Sequence, residues 1–385
     1  MAKPQIAIVG AGFAGLAASR QLSRLSLQEA DIHLFDRNAS TTMLPALPDV
    51  AGGRLEPARV RADLRQLLDP HIQLNLGTVE RVDPARKTLN TAEGEFTYDF
   101  LVLTCGAVAD RRGLKENQES AYTLSSLADA ERICQDFSAF VQSRSSPQVL
   151  VVGGGYTGLE LASNLKIRSV RLGRPARVTV LEMKDRILAG LPDRIRSYLE
   201  TQTLRQGLEI RTGIRLDSFD GRNVRLSDGS CIEDVFLCWS TGTRRGMPEL
   251  QGEQQELPDG RIVVDEYLRI PWHPQTFVAG DAAAILHRDV PLRKAVNFAY
   301  YSGKSAGRNI LFELRGRPLQ AFRPLDLGWV IPFGNTAAGQ VLGIDFLSGR
   351  LPLAMHYAMC GYRNFTLGNK IYFVRIALRA LFDML

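Results

Sequence analysis

The feature that most constrains this chain is a glycine-rich loop that occurs twice, each time in the same setting. Ile6-Ala7-Ile8-Val9 runs into Gly10-Ala11-Gly12-Phe13-Ala14-Gly15, and Val149-Leu150-Val151-Val152 runs into Gly153-Gly154-Gly155-Tyr156-Thr157-Gly158, 143 residues later. A short unbroken apolar run of this kind reads as a strand buried in a parallel sheet. The residues after each loop, from Leu16 and from Leu159, read as a helix. In such a strand–loop–helix the first glycine permits a tight turn, the second lets backbone approach a pyrophosphate, and the third lets helix and strand pack closely. The helix N-terminus then turns N–H groups and a positive dipole end toward the phosphates. The next strand in each copy ends on an acid able to hold a ribose 2′-hydroxyl: Ile32–Phe35 ends at Asp36, 21 residues past Gly15, and Val178–Leu181 ends at Glu182. The spacing predicts an α/β chain with two Rossmann-like dinucleotide-binding domains. The residues expected to contact the ligands are Gly10, Gly12, Phe13, Ala14, Gly15, Asp36 and Arg37 in the first copy, and Gly153, Gly155, Tyr156, Thr157, Gly158 and Glu182 in the second.

The 385 residues leave room for between two and three domains at ~150 residues each. A composition of 45% hydrophobic and 23% charged residues excludes a disordered or collagen-like chain. The apolar stretch Ile6–Ala18 after Lys3 has some look of a signal peptide, but Gly10, Gly12 and Gly15 have no use in one. No run reaches the ~18 apolar residues needed to span a bilayer. The five cysteines are odd in number, scattered and without a Cys-x-x-Cys pair, which argues against a disulfide framework, a zinc site or a dithiol, and for a reduced, intracellular protein. No metal is expected. The net charge of +6 is uneven: residues 286–385 hold 13 Lys/Arg against 5 Asp/Glu, a local excess of +8. A basic end suits a negatively charged partner surface. Nucleic acid is not expected, because no recognised module is present and the basic residues lie among aliphatic ones.

Two such cradles in one chain resemble the flavin disulfide-reductase-like proteins, in which one cradle holds FAD and the other admits NAD(P)H. Three further segments fit: Leu101-Val102-Leu103-Thr104-Cys105-Gly106, Phe236-Leu237-Cys238-Trp239-Ser240-Thr241-Gly242, and Thr276-Phe277-Val278-Ala279-Gly280-Asp281-Ala282. The resemblance adds Thr104, Gly106, Gly280 and Asp281 to the FAD side and Thr241 and Gly242 to the second turn. It implies a discontinuous FAD domain, over 1–112 and 247–320, with an NAD(P)H domain inserted at 113–246 and a C-terminal membrane- or dimer-associating α+β region over 321–385.

Within this class the chain is similar to the type II NADH:quinone oxidoreductases, whose loop after the first ribose acid looks like Met43-Leu44-Pro45-Ala46-Leu47-Pro48-Asp49-Val50-Ala51-Gly52-Gly53. The resemblance implies hydride transfer from NADH, with NADPH left open, to FAD, and then two electrons to a quinone at a membrane surface, without proton pumping. It implies a peripheral membrane homodimer, on the cytoplasmic face of the inner membrane if bacterial. One departure stands out. The family carries two glutamines at the quinone head-group site, whereas this chain has Lys294-Ala295-Val296-Asn297-Phe298-Ala299-Tyr300-Tyr301-Ser302-Gly303. Two registers are open there, Val296 with Tyr300 or Asn297 with Tyr301. The second is the all-polar pair at i, i+4 on one helix face, and it is the favoured one. Glu160, two positions past Gly158, matches the family acid implicated in proton delivery or gating, and it is the third catalytic candidate.

Segment 326–343 reads as a strand pair around a turn, followed by two apolar, basic-edged stretches, Leu351–Asn364 and Asn369–Leu385. In the last, Arg375, Arg379 and Asp383 form one stripe on a helix suited to a membrane interface, a core contact or a dimer contact. Two rivals remain. A sulfide:quinone oxidoreductase would use well-separated cysteines, for which Cys360 and Cys134 are candidates. An NADH-sensing flavoprotein would act through a partner.

Overall fold

Both apolar runs ahead of the glycine loops are central strands. The computed structural model describes residues 3–114, 117–246 and 248–382. Asp383, Met384 and Leu385, the end of the expected C-terminal helix, lie outside the described residues. The chain forms two compact units, one of residues 1–41, 62–108 and 243–326, the other of 42–61, 109–242 and 327–385.

The first unit is built on a six-stranded sheet in the order Arg269–Ile270, His273–Val278, Phe100–Leu103, Gln5–Val9, Asp31–Asp36, Ile72–Leu76. All neighbours are parallel except the outermost pair, Arg269–Ile270 with His273–Val278. The strand that opens the chain lies between the second strand and the returning one, with Ile8 facing Leu34 on one side and Val102 on the other. Strand order therefore reverses at the C-terminal end of Gln5–Val9, where a parallel sheet opens a crevice for ligands. Helix Phe13–Leu22 covers the sheet and packs against helix Val296–Leu314. A Cβ on Gly303 would lie 2.1 Å from the Ala14 carbonyl oxygen, and one on Gly307 2.7 Å from that of Ala18. The two helix backbones touch, which only glycine allows.

The second unit repeats the plan with four parallel strands in the order Glu209–Thr212, Arg177–Glu182, Gln148–Val152, Val235–Trp239. Its helix Leu127–Gln142 starts on a capping box between Ser126 and Asp129, which satisfies two backbone donors that a helix start leaves orphaned. The C-terminal part differs from the expected strand pair. Gly328–Phe333 and Thr336–Val341 are joined by a third antiparallel strand, Ile344–Gly349. The turn between the last two is made by Leu342 and Gly343, both with positive φ, a geometry that matches the twist of a hairpin. Helices Arg350–Arg363 and Leu367–Leu381 follow.

The compact units divide the chain differently from the expected domains. Residues 42–61 join the second unit because helix Leu47–Ala51 packs on helices Leu127–Gln142 and Tyr156–Arg171. Residues 327–385 join it too, since the three-stranded sheet packs on Tyr156–Arg171 and carries Arg350–Arg363. Among the described residues no helix is long and apolar enough to cross a membrane.

Candidate functional site

The two glycine loops have the same geometry at their three shared glycines. Gly10 has φ +102, and a Cβ there would lie 2.6 Å from the Thr104 carbonyl oxygen. Gly153 has φ +112, with the Ser240 carbonyl oxygen 2.2 Å from where its Cβ would be. The third glycines press helix onto loop: a Cβ on Gly15 would fall 1.8 Å from the Gly10 oxygen, and one on Gly158 2.0 Å from the Gly153 oxygen. The middle glycines, Gly12 and Gly155, face open space with nothing within 4 Å. They are also the N-caps of helices Phe13–Leu22 and Tyr156–Arg171, with no side chain capping either helix. Each loop is therefore rigid where it meets the sheet and open at the helix N-terminus, the shape and polarity that a pyrophosphate needs.

The expected ribose acids hold the loops as well. Asp36 Oδ2 accepts the Ala11 N–H at 2.7 Å, and Glu182 Oε2 accepts the Gly154 N–H at 2.8 Å. The other oxygens accept from Asn38 N–H and Lys184 N–H. A carboxylate has about four lone-pair sites, so each acid keeps acceptor capacity for a hydroxyl. Beside the first loop the Thr104 hydroxyl lies within hydrogen-bond reach of the Val9 and Gly10 carbonyls. The Gly280 N–H donates to Ser302 Oγ at 2.9 Å. Burial pushes the Asp281 carboxyl up, opposed by Lys294 and Arg261. Beside the second loop, Tyr156 stacks on Trp329 with ring centroids 5.8 Å apart, and Gly242 ends its turn at φ +131.

Glu160 sits in the second unit among polar groups that sequence reasoning did not bring together. Its Oε1 is buried with no hydrogen-bond partner among the described residues. Burial, then the nearby Asp49 charge, push its carboxyl well above the usual range, with Arg54 opposing. The Asp49 carboxylate accepts from the Tyr357 hydroxyl at 3.1 Å and from Asn164 Nδ2 at 3.3 Å. Arg54 Nε lies 3.8 Å from Asp49, the two side chains being 5% and 1% exposed. Arg54 also donates to the Gly334 carbonyl at 2.7 Å and to Asn164 Oδ1 at 3.2 Å. Asp49 and Arg54 thus form a buried ion pair beside a carboxyl whose hold on a proton is strengthened by burial. A lone acid inside the apolar run Leu47–Ala51 was the available signal for Asp49; nothing local marked Tyr357.

Asn297 and Tyr301 lie one turn apart on helix Val296–Leu314 in the first unit. The Asn297 amide donates to the Leu325 carbonyl at 2.6 Å, and Tyr301 meets Tyr300 edge to face. All five cysteines are unpaired. Burial pushes the Cys360 thiol up, reinforced by Asp49 and Glu160. Among the described residues no cluster of His, Cys, Asp and Glu could hold a metal.

The model of the pyridine nucleotide-disulphide oxidoreductase family matches residues 4–306. The chain belongs to this family. Its sequence is 25% identical to a type II NADH:quinone oxidoreductase of Staphylococcus haemolyticus, over 89% of this chain and 91% of that one. Its fold is similar to NDH2 of Plasmodium falciparum, solved in complex with NADH, with a TM-score of 0.84 and 14% identity over 100% of this chain and 99% of that one. It is also similar to the sulfide:quinone oxidoreductase of Aquifex aeolicus, with a TM-score of 0.77 and 17% identity over 100% and 96%.

Proposed function

We propose that this protein is an FAD-dependent NADH:quinone oxidoreductase. The observation that carries the reading is the pair of equivalent glycine cradles in one family member, in a chain whose likeness to type II NADH:quinone oxidoreductases runs past the family match at residue 306. FAD, when bound, accepts a hydride and releases electrons one or two at a time. The residues that would hold it are the Gly10–Gly15 loop, Asp36, Arg37, Thr104, Gly106, Gly280 and Asp281. NADH would lie on the Gly153–Gly158 loop, with Glu182 on its ribose and Thr241 and Gly242 behind it. Glu182 accepts from a 2′-hydroxyl and repels a 2′-phosphate, which favours NADH over NADPH.

Reducing a quinone to a quinol takes up two protons. Glu160 serves as a proton donor because burial keeps its carboxyl neutral at a pH where an exposed glutamate has lost its proton. Asp49, Arg54, Asn164 and Tyr357 fix its surroundings. On helix Val296–Leu314, Tyr301 offers a phenol to the quinone head group. Asn297 supports it less directly, since its amide donates to Leu325.

The same reading makes the protein a peripheral membrane homodimer, on the cytoplasmic face of the inner membrane if bacterial. Its support is helix Leu367–Leu381, which leaves Leu367, Ile371, Val374 and Leu378 exposed beside the exposed Arg375 and Arg379. An apolar stripe edged by cations suits the boundary between headgroups and acyl chains.

The test is NADH oxidation by full-length protein, with short soluble quinones and with long-tailed quinones in anionic liposomes. A form lacking Asn369–Leu385 should keep soluble-quinone activity and lose most liposome binding and liposome activity. A sizing column run alongside reads the homodimer. Equal liposome sedimentation, with the shortened form newly monomeric, makes the helix a dimer contact. Turnover that requires sulfide establishes the sulfide:quinone alternative.

A further inference from the structure

A cavity of about 550 Å³ opens beside helix Val296–Leu314 in the first unit. One wall is a single stripe of that helix, in which Tyr301, Lys304, Ser305 and Arg308 recur at i, i+3, i+4 and i+7. The opposite wall is segment 320–325, which lies outside any helix or strand. This segment is fixed rather than draped. Asn309 donates from Nδ2 to the Gln320 carbonyl and accepts the Gln320 N–H on Oδ1, both at 3.0 Å. Phe322 N–H donates to the Glu266 carbonyl at 2.7 Å, and Asn297 Nδ2 donates to the Leu325 carbonyl at 2.6 Å. Three side-chain and backbone anchors therefore hold the space open.

The lining is strongly cationic. Lys304, Arg308 and Arg323 all face it, and none has an ion-pair partner among the described residues. The acid at the end of the segment, Asp326, is taken by Arg293, with Nη2 to Oδ1 at 2.8 Å. Among the described residues Arg308 Nε is closed off from solvent without a hydrogen-bond partner, and the one bond the side chain makes is from Nη2 to Ser305 Oγ at 3.3 Å. Like charges in one cavity repel, and a buried donor without an acceptor is costly. A single anion with several acceptor oxygens relieves the repulsion, and a guanidinium presents it with N–H donors in a fixed planar fork.

We propose that this cavity binds an oxyanion of the phosphate class, gripped by Arg308 together with Lys304 and Arg323. The phosphate comes either from solution or from a phospholipid headgroup. The site is separate from both glycine loops, and it shares only Tyr301 with the helix face proposed above for the quinone.

The experiment is calorimetric titration of the full-length, FAD-loaded protein with inorganic phosphate, at constant ionic strength with chloride as the balancing anion. A second titration uses short-chain phosphatidylglycerol below the concentration at which it forms micelles. Saturable binding is expected, weakened about tenfold to a hundredfold by Arg308→Gln, the loss of one charge-assisted contact. Arg308→Lys should recover part of it. Arg323→Gln, at an exposed position where folding is not at risk, should weaken it severalfold. Tighter binding of the lipid assigns the site to a headgroup, and tighter binding of inorganic phosphate assigns it to a soluble ligand. Absence of saturable binding by both probes overturns the proposal. So does binding that is equal in the wild type, Arg308→Gln and Arg323→Gln, since that would place the anion outside this cavity.

Discussion

Asp49→Asn breaks the buried pair under Glu160 while keeping the side chain's size. The substitution leaves the Arg54 guanidinium, 5% exposed, with only neutral acceptors: the Gly334 carbonyl at 2.7 Å, Asn164 Oδ1 at 3.2 Å and Asn335 Oδ1 at 3.2 Å. Removing one partner of a buried ion pair costs about 3–5 kcal/mol. The three remaining acceptors put this case at the low end, about 3 kcal/mol. Arg54→Met is expected to cost a similar amount, because it strands the Asp49 carboxylate beside Glu160. The double variant removes both charges and should cost less than the sum of the singles by about 0.5–3 kcal/mol, the range for residues in direct contact. The assay is urea unfolding followed by tryptophan fluorescence, with Trp239 and Trp329 reporting on this unit. Additive costs, within about 0.5 kcal/mol, would refute the reasoning, since they would mean that the pair is not coupled.

Glu160→Gln should remove a pH-dependent limb. The wild-type carboxyl has its folded-state pKa raised above the ordinary 4.5, so the stability it contributes is fully present below that value and is lost as pH rises through the raised one. Quinone reduction should fall over the same upper range in the wild type, while the Gln variant should be slow and flat there; matching pH profiles for the two would remove Glu160 from proton delivery. Glu182→Gln should narrow the preference for NADH over NADPH, read as the ratio of kcat/KM values, and equal use of both cofactors by the wild type would contradict the role given to Glu182. The double variant Cys134→Ser with Cys360→Ser should retain most NADH–quinone turnover, because burial keeps the Cys360 thiol protonated; loss of turnover with FAD retained would favour the sulfide alternative.

Features written locally in the sequence were legible, and features made by packing were not. Each glycine loop contains its own strand, turn, helix start and distal acid, so the sheets around Gln5–Val9 and Gln148–Val152 could be read from short segments. The third strand, Ile344–Gly349, escaped because none of its residues is buried and they show little apolar alternation. Its turn at Leu342-Gly343 lies at the end of the segment that reads as a strand pair, and Leu342 adopts a conformation rare for a leucine. Glu160 stood out by its place after Gly158. Its neighbours did not, because Asp49 and Tyr357 meet across 308 residues of chain. The cationic cavity was hidden for a related reason: nothing local marks Lys304 and Arg308, and it is segment 320–325 that makes a cavity beside them.

The most direct measurement is anaerobic stopped-flow absorbance of the FAD-loaded protein, mixed first with NADH and then with a water-soluble quinone. NADH should bleach the flavin band in a single fast phase, and the quinone should restore it at a rate no slower than steady-state turnover. A flavin reduced by NADH that quinone leaves reduced, or one that bleaches only when sulfide is supplied, would contradict an NADH:quinone oxidoreductase.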